Sequence, residues 1–174
     1  MKRILFLASL SLAALFAAGS LANGQDSSPG ATPRAATKQV TASTTPRRDR
    51  TRPYTFTTRG RVVPPSKFCA PGAAVEGGNC VALICPSGTT NPAYCQTPPK
   101  SAICSGKVNV RFQKRTTTVS SRNVSLRSNC TYRSRVSFRT RAASRRGALS
   151  VRARFQGNAL LLPKNSSRHT VRAG

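Results

Sequence analysis

The chain has 174 residues, room for one domain of ordinary size with flanking segments and not for two large ones. Its 29 Lys and Arg against 3 Asp and Glu give a formal charge of +26, which bears on partners and solubility and not on fold. The acids are Asp26, Asp49 and Glu76, so residues 101–174 hold no carboxylate side chain, and paired-carboxylate or acid-oriented triad chemistry has no basis there.

Lys2 and Arg3 precede the apolar run Ile4 to Leu15 and the small-residue stretch ending at Ala22. This pattern predicts a secretory signal peptide over 1–22, with serines and glycine diluting the run below what a membrane span needs. Residues 23–67 are rich in Ser, Thr, Pro, Ala and Arg, with no sustained period and few large apolar residues. They are expected to be a disordered basic linker, because too little apolar surface is available to offset chain entropy. Arg47, Arg48, Arg50 and Arg52 form a solvated charge run within it. Tyr54, Phe56, Val62 and Val63 suggest a short extended piece that Pro64 and Pro65 stop.

Residues 68–100 form a cysteine-rich segment and a proline spacer (Pro98, Pro99) too small to build a core without disulfide staples. In an exported chain the even set Cys69, Cys80, Cys85, Cys95, Cys104 and Cys130 is expected to be disulfide-bonded. Sequence alone leaves the connectivity open. Cys69 with Cys80 and Cys85 with Cys95 close short local loops, and Cys104 with Cys130 joins the beginnings of two segments of the following domain. No Cys-x-x-Cys suggests redox chemistry, and with His169 as the lone histidine no metal site is expected.

From Ser101 the period becomes two. Cys104, Val108, Val110 and Phe112 share one parity, with Lys107, Asn109 and Arg111 on the other. Val124 and Leu126 follow as inward residues. Cys130, Tyr132, Val136 and Phe138 then oppose Arg133, Arg135, Arg139 and Arg141, and Leu149, Val151, Ala153 and Phe155 oppose Ser150, Arg152 and Arg154. Residues 142–147 read as a loop. Gly157-Asn158 reads as a hairpin-type turn into a strand at Leu160 to Leu162, and His169, Val171 and Ala173 as a terminal edge strand. The fold expected for 101–174 is all-β, a small antiparallel immunoglobulin-like sandwich preceded by the linker and the cysteine-rich segment.

The residues Cys104-x-Gly106, Cys130-x-Tyr132, Val136-x-Phe138, the run from Leu149 to Pro163 and the terminal Thr170 to Gly174 resemble the immunoglobulin-like β-sandwich modules that end many secreted actinobacterial proteins. Cys85 to Cys95 looks like the linker before such modules. The resemblance covers roughly 85–174. It implies a bacterial, extracellular or cell-surface accessory role and carries over no catalytic residue. No Trp is present to pack on a disulfide, unlike antibody domains.

The functional expectation is therefore a secreted, non-catalytic structural or interaction module with no cofactor and no metal. His169 reads as a surface or edge-strand histidine and not as a catalytic base. The alternative is a polyanion-binding protein acting through an arginine-rich sheet face made of Arg133, Arg135, Arg139, Arg152 and Arg154. Its partner would be an anionic cell-envelope polymer, an anionic polysaccharide or extracellular nucleic acid. The plainer account of those arginines is that their long stems cover apolar sheet surface.

Overall fold

The computed structural model describes residues 34–69, 80–88, 91–138 and 147–174, and Thr32–Gly174 forms one compact unit. The expected signal peptide, residues 23–33 of the expected linker, residues 142–146 of the loop expected at 142–147 and Arg139 lie outside the described residues, and Gly147 already belongs to a strand. In chain order the elements are β1 (Gln39–Val40), β2 (Ser43–Thr45), β3 (Arg48–Asp49), β4 (Tyr54–Val63), β5 (Lys67–Cys69), β6 (Cys80–Ala82) and α1 (Lys100–Ile103). They continue with β7 (Lys107–Lys114), β8 (Thr117–Ser125), β9 (Thr131–Phe138), β10 (Gly147–Phe155), β11 (Lys164–Asn165) and β12 (His169–Ala173).

Apart from the short parallel pair β5–β6, the strands form two mainly antiparallel layers. In the first sheet β4 is central, with β9 along one edge and β1 and β2 end to end along the other. The second sheet runs β3-β12-β10-β7-β8, and β11 pairs with β10 ahead of β12. With β1–β2 and β11–β12 each counted as one interrupted strand and the short β3, β5 and β6 set aside, the first, second and fifth strands make one layer and the third, fourth, sixth and seventh the other. That crossing order is an immunoglobulin-like sandwich. After the cis Thr45–Pro46 bond the chain leaves the first sheet, and β3 joins the second in parallel with the end of β12.

The core is filled by the inward parity of both sheets, as period-two strands require. Phe56 and Phe138 from the first sheet meet Phe112 from the second, with ring centroids 5.8 to 6.2 Å apart, a spacing at which tilted and edge-on rings attract. Val108, Val110, Val151, Phe155, Val62 and Val171 complete the layer, all essentially inaccessible to solvent. The inward residues of β7, β9 and β10 are those the alternation assigns.

The linker expectation for 23–67 is corrected over its described part. Residues 39–63 supply two of the three strand tracks of the first sheet, and β4 is its ten-residue centre. The domain therefore starts near Ala35 and not at 101, and the cysteine-rich segment is an insertion between β4 and β7. The alternation is hidden because the inward positions of these strands include Ala42, Thr44, Thr58 and Gly60. Thr44 and Thr58, both 0% exposed, satisfy each other through a 2.8 Å hydroxyl pair. Gly60 stands directly opposite Tyr132, where a Cβ would lie 2.6 Å from the ring's Cζ. Tyr132 crosses that space to donate a 2.6 Å hydrogen bond to the Thr41 carbonyl, between β1 and β2.

Three further differences follow from local hydrogen bonding. Cys104 is the C-cap of α1 and not part of the following strand, its N–H donating to the Lys100 carbonyl. Leu126 falls just past β8, which begins at Thr117. Leu160 to Leu162 forms no strand, because the Asn158 carboxamide gathers this loop: Oδ1 accepts from the N–H groups of Leu160 and Leu161, while Nδ2 donates to the carbonyls of Ile103 and Ser105. Leu161 makes a single parallel bridge to Ala35.

The disulfides are Cys69–Cys80, Cys85–Cys95 and Cys104–Cys130, with Cα separations of 5.5, 4.2 and 4.5 Å, and no cysteine is free. The third bridge joins the segments ahead of β7 and β9, as expected. These two strands lie in different sheets, and the bridge ties α1 to the β8–β9 crossover. Val81 of β6 is fully buried in the same core as the sandwich, so the insertion is docked onto it.

Candidate polyanion-binding face

The outer side of the second sheet is assembled by strand parity. Asn109, Arg111 and Gln113 of β7 stand beside Ser150, Arg152 and Arg154 of β10. Arg152 is directly opposite Arg111, and Arg154 lies between Asn109 on one side and Asn165 of β11 on the other. With Arg168, just ahead of β12, all of these except Ser150 line a depression of about 240 Å³. Arg152 is half-buried, and its Nε is shielded from solvent without a hydrogen-bond partner.

A polar ladder borders the basin. Asn109 Nδ2 donates to Ser121 Oγ at 2.9 Å and to Asn123 Oδ1 at 2.8 Å, and Gln156 Nε2 reaches the same Asn123 oxygen. These bonds hold the carboxamides in place next to the guanidinium groups. Like charges directly opposed in a sheet cost a few tenths of a kcal/mol per pair, which a bound anion would reverse. Asp49 is the single carboxylate side chain among the described residues. Its oxygens accept from the N–H groups of Thr51 and Thr55 at 3.1 and 2.7 Å, so they order the turn into β4.

The residues expected to form one arginine face are divided by the fold. Arg152 and Arg154 sit in the basin. Arg133 and Arg135 belong to β9 of the other sheet and point to the opposite side of the sandwich, Arg133 directly across from Arg59 and Arg135 across from Thr57. Arg139 lies outside the described residues. The residues that join Arg152 and Arg154 are Arg111, Arg168, Asn109, Gln113 and Asn165. Parity already places Arg111 on the outer face of its strand, but strand order across the sheet is set by long-range pairing. For Asn165 and Arg168 the sequence carries no periodic signal at all.

His169 opens β12, with β10 as its single strand neighbour among the described residues, because β3 pairs only with Arg172 and Ala173; it therefore sits on the sheet edge at that point, as expected. Its Nε2 is 2.8 Å from Thr44 Oγ1, which continues to Thr58 Oγ1, a polar thread joining the two sheets through the interior. Desolvation, reinforced by the Arg47 charge, lowers its pKa below the usual histidine value, and Nδ1 is buried without a partner. The hydroxyl it contacts is fully buried, so the contact joins the two sheets and does not face a solvent-open cleft.

Three disulfides fit an oxidising environment, and among the described residues no helix is long and apolar enough to cross a membrane. No family model, no curated protein and no solved structure matches the chain.

Proposed function

We propose that the chain is a secreted, non-catalytic interaction module of the cell surface or extracellular space, and that it binds a polyanion on the outer face of its second sheet. The observation that carries this reading is the basin of Arg111, Arg152, Arg154 and Arg168 interleaved with the carboxamides of Asn109, Gln113 and Asn165 and lined by no carboxylate among the described residues. Guanidinium groups offer paired donors to carboxylate or phosphate oxygens, and adjacent amides serve the neutral polar groups of the same ligand. The leader-like residues 1–22 support export. The motif resemblance supports kinship with the immunoglobulin-like modules of secreted actinobacterial proteins.

Retention of the purified chain on heparin and on duplex DNA tests the reading. Elution should move to lower salt when Arg111, Arg152, Arg154 and Arg168 are replaced by Ser, with a shallower dependence of log affinity on log salt. Replacing Arg59, Arg133 and Arg135 on the opposite face removes nearly as much charge and should move elution much less. Equal shifts for the two variants would reduce the effect to net charge and defeat the proposal.

A further inference from the structure

A second cationic basin lies beside the first. Lys38, Lys67 and Lys164 come from three separate segments, ahead of β1, at the start of β5 and on β11, and line a cleft of about 360 Å³ together with Thr37 and Ser66. The segments are held in place by the backbone. Lys38 N–H donates to the Val63 carbonyl, Thr37 Oγ1 donates to the Leu162 carbonyl at 2.6 Å, and Ala35 exchanges bonds with Leu160 and Leu162. All three lysines are exposed, and among the described residues no carboxylate lines the cleft.

The two basins share β11. Lys164 opposes Phe155, an inward residue, whereas Asn165 opposes the outward Arg154. Successive residues of a strand point to opposite sides, so this two-residue strand contributes one side chain to each basin. Its single strand partner among the described residues is β10, which leaves β11 as the rim between them.

The linings also bear on the kind of polymer. Single-stranded nucleic acid is gripped by aromatic platforms on which bases stack. Here Tyr54, Phe56, Phe112, Tyr132, Phe138 and Phe155 are all committed to the core, and the exposed Phe68 and Tyr94 line neither basin. Cations, carboxamides and hydroxyls remain, the groups that suit a hydroxyl-rich chain bearing an acid at regular intervals.

We propose that the arginine basin and the lysine cleft are one track for a linear anionic glycan that passes round the β11 rim. This rests on the polyanion reading above. A short oligomer occupies the arginine basin alone, and a long one also engages the lysines, gaining affinity because its second contact is intramolecular.

The test is titration of the full chain at low salt with size-defined oligogalacturonates, a tetrasaccharide and a dodecasaccharide, against wild type and a Lys38→Ser, Lys67→Ser, Lys164→Ser variant. All three positions are exposed, and circular dichroism checks that the fold is retained. The expected result is a loss of about tenfold for the dodecasaccharide and less than about twofold for the tetrasaccharide. Equal losses at both lengths, or no loss at either, overturn the track. Tighter binding of a single-stranded oligothymidylate of equal charge than of the dodecasaccharide overturns the glycan class. The basin variant, with Arg111, Arg152, Arg154 and Arg168 replaced by Ser, separates the two levels. If it binds both oligomers like wild type, the polyanion reading fails as well; if it loses both while the lysine variant loses neither, only the track fails.

Discussion

Gly60 and Tyr132 act as a pair. The glycine leaves the space through which the phenol reaches the Thr41 carbonyl, and so locks the junction of β1 and β2 against β9 across the width of the first sheet. Gly60→Ala would drive a methyl group into the Tyr132 ring and onto the Thr41 carbonyl oxygen, and should cost about 3 kcal/mol in chemical denaturation. His169 sets the pH response, since it is the sole histidine of the chain. Its folded pKa is lowered, first by desolvation and then by Arg47, so the unfolded chain takes up the proton more readily. The stability it supports is complete above the unfolded pKa of about 6.5 and declines as pH falls from there toward the lower folded value. Melting temperature should therefore drop between about pH 7 and 5 in wild type and stay flatter in His169→Gln, where the side chain no longer titrates. Equal slopes would show that another group governs the transition.

At the scale of elements, β1 and β2 look unlike strands in the sequence, yet they complete the first sheet and, through β3, bind the second. Val40 is buried against the core, and Arg172 N–H donates to the Arg47 carbonyl while Gly174 N–H donates to the Asp49 carbonyl. Deleting residues 34–45 should expose the flank of β4, including the Thr58 hydroxyl that pairs with Thr44, and abolish cooperative unfolding. A free linker would tolerate the same deletion with no change in the transition. The strands β7, β9 and β10 were legible because most of their inward positions carry large apolar residues, with Ser134 and Ala153 breaking the run. The pair β1–β2 and the centre of β4 were not, since threonine, alanine and glycine replace large side chains where a hydroxyl pair and a crossing tyrosine fill the space. The loop at 156–163 misled for another reason, because Asn158 satisfies the backbone locally and no strand partner is needed.

Across the whole molecule the chain carries a charge of +26, and the described arginines and lysines occupy both outer faces of the sandwich, so self-repulsion works against the compact state. Raising ionic strength should raise the melting temperature by screening. A polyanion that binds only the folded form should raise it further by mass action, at charge concentrations where simple salt does little. The Cys104–Cys130 bridge contributes about 3.5 kcal/mol by restricting the unfolded chain.

The arginine basin joins these scales. Composition by itself determined that the chain is basic, and period-two patterning that residues 101–174 are built mainly of strands with arginines turned outward, because alternation is a local property of consecutive residues. Which arginines are neighbours was decided by tertiary structure alone. Arg133 and Arg152 have the same parity signature in the sequence, yet β9 pairs with β4 and β10 with β7, and the two side chains face opposite ways. Strand order is a matter of long-range hydrogen bonding and core packing, in which a buried threonine pair and a glycine under a tyrosine ring count as much as any run of large apolar residues.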